Sequence, residues 1–116
     1  MAVSRAFDDL LSTARALSAA GDWAGVRRLL VESAGTGGGE AMARTHPELA
    51  TLRADAELRT GHPREAHQWL TVAHKTIQRS GDRPALRKAL NQLGVAEVEL
   101  GALEDAERSF ARALEL

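Results

Sequence analysis

The chain has 116 residues, of which 44% are hydrophobic and 3% aromatic, and it contains no cysteine. This length suits one domain with a modest core, and the absence of cysteine excludes a disulfide framework, a thiolate metal site and a cysteine nucleophile. Because 15 basic and 16 acidic side chains give a net charge of -1 without a long run of either sign, we expect neither a nucleic-acid-binding surface nor a basic membrane-binding patch.

The N-terminal segment lacks the pattern of a secretion signal. Asp8 and Asp9 interrupt what would have to be its apolar core, and no apolar run approaches the roughly 18 residues of a membrane span. We therefore expect a cytoplasmic protein. Arginine outnumbers lysine by 13 to 2, which together with the abundance of alanine and glycine is typical of a GC-rich bacterial coding sequence.

Apolar spacing and helix-start residues predict six helices. Alanine and leucine, the commonest residues of the chain, are strong helix formers, and apolar residues recur at helical intervals. Asp22 and Asp82 stand where they can cap a helix, while Pro47 and Pro63 suit a first helical turn. The predicted helices run near residues 4–20, 23–34, 47–60, 63–79, 84–100 and 103–116.

The predicted helices recur with a period of 40 residues. Gly21, Gly61 and Gly101 are each 40 residues apart, and each stands where a helix ends in a left-handed conformation that costs least without a Cβ atom. The helix after each glycine aligns a small, a large and a small position. Their occupants are Val26, Ala66 and Ala106, then Leu30, Leu70 and Phe110, then Ser33, Ala73 and Ala113. The unit is a helical hairpin, repeated over about residues 4–34, 45–80 and 83–116 of a single domain, 1–116.

Residues 35–45, GTGGGEAMART, interrupt this pattern. The segment contains four glycines and little periodicity, which predicts a flexible loop between the first two repeats. A phosphate-binding loop is not indicated, because the Walker pattern needs Lys followed by Ser or Thr after the last glycine. Glu40 and Ala41 follow instead.

The third repeat, LNQLGVAEVELGALEDAERSFARALEL, resembles the tetratricopeptide repeat. The signature of that family is a large residue, then L-G, a turn glycine and an A-x3-F-x2-A stretch. These positions are occupied by Leu90, Leu93, Gly94, Gly101, Ala106, Phe110 and Ala113. The second repeat keeps Gly61, Ala66, Leu70 and Ala73, and the first keeps Gly21, Trp23 and Leu30. Glu97 departs from the family pattern, which has an aromatic residue there, and the period is longer than the usual one of about 34 residues.

This resemblance implies an all-α, right-handed superhelix, or solenoid, of three antiparallel helical hairpins. The first helix of each repeat would line a concave groove that binds a protein or peptide, as in an adaptor, scaffold or regulatory module. The corresponding groove positions are Leu11, Ser12 and Arg15, then Thr51, Asp55 and Arg59, then Lys88, Asn91, Gln92 and Val95. Such a mixed groove suits a peptide that has both apolar and acidic features.

No set of residues predicts catalysis or metal binding. His67 and His74 share a helix face, but a two-turn spacing leaves about 10 Å between their backbones, and we interpret both, with His62, as surface or inter-repeat residues. A nucleophile with a base and an orienting group cannot be assembled from the scattered serines and threonines. We therefore expect no enzymatic activity, no metal and no cofactor.

The end of the last predicted helix offers a second interaction surface. Repeats of this kind bury their faces only against neighbours, so Leu103, Leu114 and Leu116 predict an apolar patch through which two copies could form a homodimer. Two alternatives to a peptide-binding module stay open. One is a self-associating structural module, and the other is a small-molecule sensor or accessory domain that uses a gap under the 35–45 loop.

Overall fold

The structure, a computed structural model, describes the backbone of residues 2–116 and the side chains of residues 6–33 and 41–116. The described chain is all-α, as predicted, and its helices are α1 (Ala2–Ala19), α2 (Trp23–Thr45), α3 (Pro47–Arg59), α4 (Pro63–Ser80), α5 (Arg83–Glu99) and α6 (Leu103–Leu114). Nowhere in this part of the chain does a helix combine the length and the apolar character that crossing a membrane requires.

The helix ends follow the local signals in the sequence. The three glycines of the 40-residue register have φ angles of 76°, 81° and 80°, which confirms their predicted left-handed conformation. Asp22 accepts a hydrogen bond of 2.9 Å from the main-chain N–H of Gly25, and Asp82 accepts one of 3.0 Å from Ala85. Each carboxylate thereby satisfies a main-chain donor that has no partner within its helix.

Helix α2 corrects the prediction for residues 35–45. The sequence predicts a flexible loop there, whereas the backbone stays helical through Thr45 and α3 begins only two residues later. Each glycine within a helix costs about 1 kcal/mol relative to alanine. Met42 and Ala43, beyond the glycines, are fully buried, and this burial offsets the cost by holding the last turn of α2 in the core. The loop prediction is therefore wrong. The small-molecule alternative, which used a gap under that loop, loses its structural basis.

Helix α3 lies between two apolar clusters and contributes to both. Leu49, Leu52 and Ala56 belong to a first cluster with α1 and α2, whereas Ala50 and Ala54 belong to a second cluster that extends to α6. Each helix packs on the next along the chain, and α3 also packs on α1 and α5, while α2 also packs on α4. Because α3 is buried on two sides, it ties the first hairpin to the other two.

The 40-residue register is visible in the packing. Val26, Ala66 and Ala106 are all buried, and Leu30 and Leu70 are completely buried. In the same register as these leucines, Phe110 is partly exposed and packs its ring on Gly94 of α5. At the third aligned position Ala73 and Ala113 are buried, whereas Ser33 is exposed. The pattern of small and large residues thus matches the burial at all three positions of the second hairpin and at two of the three positions of the first and the third.

Candidate binding groove

A groove runs between α3 and α5. Its main cavity has a volume of about 510 Å³, and its walls include six of the ten predicted groove positions, namely Asp55, Arg59, Lys88, Asn91, Gln92 and Val95. The other residues of its walls are Leu58, Pro84, Arg87 and Glu99. An adjoining cavity of about 300 Å³ shares Pro84 and Lys88 with the first and is also lined by Thr51. The two cavities adjoin at Pro84 and Lys88 and form a depression between α3 and α5 whose surface is mainly apolar, with charged and amide side chains from both helices around it.

Asp55 organises the polar part of the groove. Its carboxylate lies 3.2 Å from Nζ of Lys88 and accepts a hydrogen bond of 2.8 Å from Nε2 of Gln92. The same Nε2 donates to the main-chain oxygen of Thr51 at 2.9 Å. Two acceptors on one nitrogen set the orientation of the amide, so Gln92 joins α5 firmly to α3. Its Oε1 is buried and has no hydrogen-bond partner among the described residues.

Arg59 supplies a cation at the rim of the groove. Its guanidinium lies over the ring of Trp23, 4.7 Å from the ring centroid, while the side chain stays exposed. Stacking of this kind holds a guanidinium flat without using its N–H donors. Arg59 is therefore oriented in advance to form a bidentate contact with a carboxylate.

The three predicted positions on α1 do not line these cavities. Arg15 donates to Glu48 of α3 through Nε and Nη2, at 2.6 and 2.5 Å. This hydrogen bond, together with the opposite charge, raises the pKa of Arg15 and lowers the pKa of Glu48. Leu11 packs against the first apolar cluster, and Ser12 is exposed. Arg15 thus connects α1 to α3 in an ion pair that a ligand would have to displace.

Two glutamates that the sequence does not predict to be buried contact basic side chains of the preceding hairpin. Glu57 on α3 is 1% exposed and accepts a hydrogen bond of 3.2 Å from Nε of Arg27 on α2. Glu97 on α5 is 6% exposed, lies 3.4 Å from Nε2 of His67 on α4, and accepts a 2.6 Å hydrogen bond from Ser109. Both the glutamates and their partners are 40 residues apart. This repetition is visible in the sequence, because in each pair the glutamate follows its partner by 30 residues.

Other polar side chains lie close to the core, and the buried Nε of Arg53 has no hydrogen-bond partner among the described residues. The Arg53 guanidinium lies 4.4 Å from the ring centroid of Trp69, and burial lowers the pKa of Arg53 although the charge of Glu57 opposes that change. His74 is buried, and its Nδ1 lies 2.9 Å from the main-chain oxygen of Leu70. The described residues hold no group of three or more His, Asp or Glu side chains placed to bind a metal.

The predicted self-association patch is only partly present as a surface. Leu103 and Leu114 are 62% and 88% exposed. Leu116, in contrast, is half-buried against the second apolar cluster. The exposed apolar surface at this end therefore belongs to α6 itself.

Comparison with known proteins adds no relative. No protein-family model matches the chain, and neither a curated protein nor a solved structure is similar enough to match it.

Proposed function

We propose that this chain is a tetratricopeptide-type module without enzymatic activity, which binds a polypeptide in the groove between α3 and α5. In this proposal the three hairpins wind as a right-handed superhelix and the groove lies on its concave side. The observation that carries the proposal is the single cavity lined by six of the residues that the family resemblance assigns to ligand contact. Concave sites that combine apolar walls with a few oriented polar groups are the usual places for binding.

Packing between the helices supports the family assignment. In the family signature a glycine and an aromatic residue recur at the positions of Gly94 and Phe110, and in this chain the two are in contact. A Cβ atom at position 94 would lie 2.6 Å from a ring carbon of Phe110. A side chain at position 94 would clash with the ring of Phe110. The glycine therefore leaves the space that the large ring occupies.

The charges of the groove favour an acidic peptide with an apolar anchor. Lys88 is already neutralised by Asp55, and Arg87 donates a hydrogen bond of 2.9 Å to the main-chain oxygen of Leu116. Arg59 is therefore the rim cation that this proposal assigns to a ligand. Leu58 and Val95 supply apolar wall, and Val95 is 41% exposed. A peptide carboxylate at Arg59 with an apolar side chain against Val95 would use both kinds of contact.

Selection from a phage-displayed library of random peptides tests this function. We expect the selected peptides to share an acidic residue next to an apolar one, and their binding to the full chain to weaken about tenfold or more with Arg59→Glu. Since Arg59 also stacks on Trp23, Asn91→Glu offers a second test at an exposed groove position.

The matched control is Arg64→Glu, which makes the same change of charge at an exposed position on α4 that is not part of the groove wall. This variant should bind the selected peptides with nearly unchanged affinity. Selection of no peptide, or equal loss of binding in all three variants, would contradict the proposal.

A further inference from the structure

One face of α6 forms a stripe that is not part of the groove. Leu103, Glu107, Phe110 and Leu114 follow one another at intervals of four, three and four residues, which places them on the same side of a helix. Leu103, Glu107 and Leu114 are exposed, and Phe110 is partly exposed. Among the helices that the structure describes, α6 packs only on α5. We call these four residues the α6 stripe.

The 40-residue register indicates what kind of element covers such a stripe. On α4, the equivalents of Phe110 and Leu114 are Leu70 and His74, which are 0% and 8% exposed. Helix α4 packs on α5, the first helix of the next hairpin. On α4, the half of the stripe formed by Leu70 and His74 is therefore buried, and α5 is one of the helices that pack there. Pro63 and His67, in register with Leu103 and Glu107, are half-buried.

Charge distinguishes the α6 stripe from its equivalents. The residues in register with Glu107 are Arg27 and His67, and each pairs with a buried glutamate of the helix that covers it. Glu107 reverses the sign at this position. A covering helix that carried glutamate would place two carboxylates together in a partly buried interface, which is unfavourable.

We infer that the α6 stripe is a docking surface for an amphipathic helix whose apolar face carries one lysine or arginine opposite Glu107. Such a helix would bury Leu103, Phe110 and Leu114, and its cation would neutralise the carboxylate. This is the internal ion pair of Arg27 and Glu57 with its two charges exchanged. The surface is separate from the groove and binds a different kind of partner.

A second copy of this chain does not provide that cation from the elements that would face it. If copies stacked end to end, α1 would cover the stripe, and the residue of α1 in register with Glu57 and Glu97 is Leu17. If two α6 helices met, Arg108 and Arg112 would lie about 100° or more around the helix from Glu107, and Arg108 already pairs with Asp105. Either arrangement would bury Glu107 without a counter-ion.

The test uses the full chain and two fluorescent peptides with the sequence of α5, residues 83–99, as the helix that covers the equivalent face. One peptide is natural and the other carries Glu97→Lys. We expect the wild-type chain to bind the lysine peptide about tenfold more tightly than the natural one in an anisotropy titration. Glu107→Lys should reverse this preference, while circular dichroism verifies the fold.

Glu104→Lys is the matched control, because it changes the same charge on α6 at an exposed position outside the stripe, and it should keep the wild-type preference. Groove variant Arg59→Glu should do the same. Equal affinity for the two peptides, saturable binding of neither, or a preference that survives Glu107→Lys would overturn the inference. A dimer of the wild-type chain in sedimentation that Leu114→Asp abolishes would also overturn it, since a second copy would then occupy the stripe.

Discussion

The ring of Phe110 lies so close to the Cα atom of Gly94 that a Cβ atom at position 94 would be 2.6 Å from the ring. This contact joins α6 to α5 and predicts that Gly94→Ala destabilises the protein. Overpacking costs about 1–3 kcal/mol, and the better helix propensity of alanine returns about 1 kcal/mol. We expect a net loss of up to about 2 kcal/mol in the free energy of unfolding, measured with urea.

Phe110→Leu provides the control, because leucine is the residue found in register at Leu30 and Leu70. In the double variant Gly94→Ala with Phe110→Leu, the smaller side chain leaves room for the new methyl group. The two effects should therefore be non-additive, with the double variant more stable than their sum predicts. Strict additivity would show that the contact does not limit residue 94.

The pair formed by Arg27 and Glu57 predicts an asymmetric response to substitution. Arg27→Met leaves the carboxylate of Glu57, which is 1% exposed, without its cation, and should cost about 2–3 kcal/mol. Adding Glu57→Leu removes the buried charge as well and should recover part of that loss, although Arg53 then loses the favourable charge of Glu57. Thermal and urea unfolding of the single and double variants measure both quantities.

Arg28→Met is the matched control for this pair, since Arg28 is the exposed neighbour of Arg27 on α2. It should change the stability by less than about 0.5 kcal/mol. A loss in this variant as large as that of Arg27→Met would mean that the methionine, rather than the unpaired glutamate, causes the effect.

The ion pair of Arg15 and Glu48 predicts a pH dependence. The hydrogen bond from Arg15 lowers the pKa of Glu48, so the pair stabilises the folded state fully above the pKa of an unfolded glutamate and loses this effect as the pH falls through the folded pKa. Arg15→Gln should therefore be less stable than the wild type near about pH 7, and the difference should shrink near about pH 3.

Lys75→Gln removes an exposed cation of α4 and controls for the change in net charge. Its difference from the wild type should vary less with pH than that of Arg15→Gln. A constant difference for Arg15→Gln between the two pH values would show that the pair does not exist in solution.

The helical backbone of residues 35–45 can be tested with a single glycine. If α2 continues through Thr45, as the structure has it, then Gly38→Ala should raise the free energy of unfolding by about 0.5–1 kcal/mol, since alanine is the better helix former. Amides in this segment should also exchange slowly with deuterium. A destabilised variant, or fast amide exchange across the segment, would show that residues 35–45 form a loop, as the sequence predicts.

Much of the secondary structure could be predicted because its signals are local. Gly21, Gly61 and Gly101 mark helix ends, and Asp22 and Asp82 mark helix starts, through interactions with their own neighbours. The extension of α2 could not be predicted in this way. There the burial of Met42 and Ala43, which depends on the other helices, overrides the weak helix propensity of the glycines.

The candidate site was only partly predictable for a related reason. Family resemblance identified the groove positions on α3 and α5, but not that Glu48 would engage Arg15 or that Asp55 would neutralise Lys88. The burial of Glu57 and Glu97 runs against the usual exposure of glutamate, and it becomes intelligible only when their partners Arg27 and His67 are seen on the preceding hairpin. Ion pairs between distant residues depend on tertiary geometry, which the 40-residue period indicates but does not specify.

Chemical-shift mapping of the full chain with the best peptide from the library tests the central proposal most directly. We predict that the amide signals of Asp55, Arg59, Asn91 and Val95 shift on titration with the peptide. Asn91→Glu should reduce the size of these shifts. Shifts confined to α6, or spread evenly over the chain without saturation, would contradict a peptide-binding groove between α3 and α5.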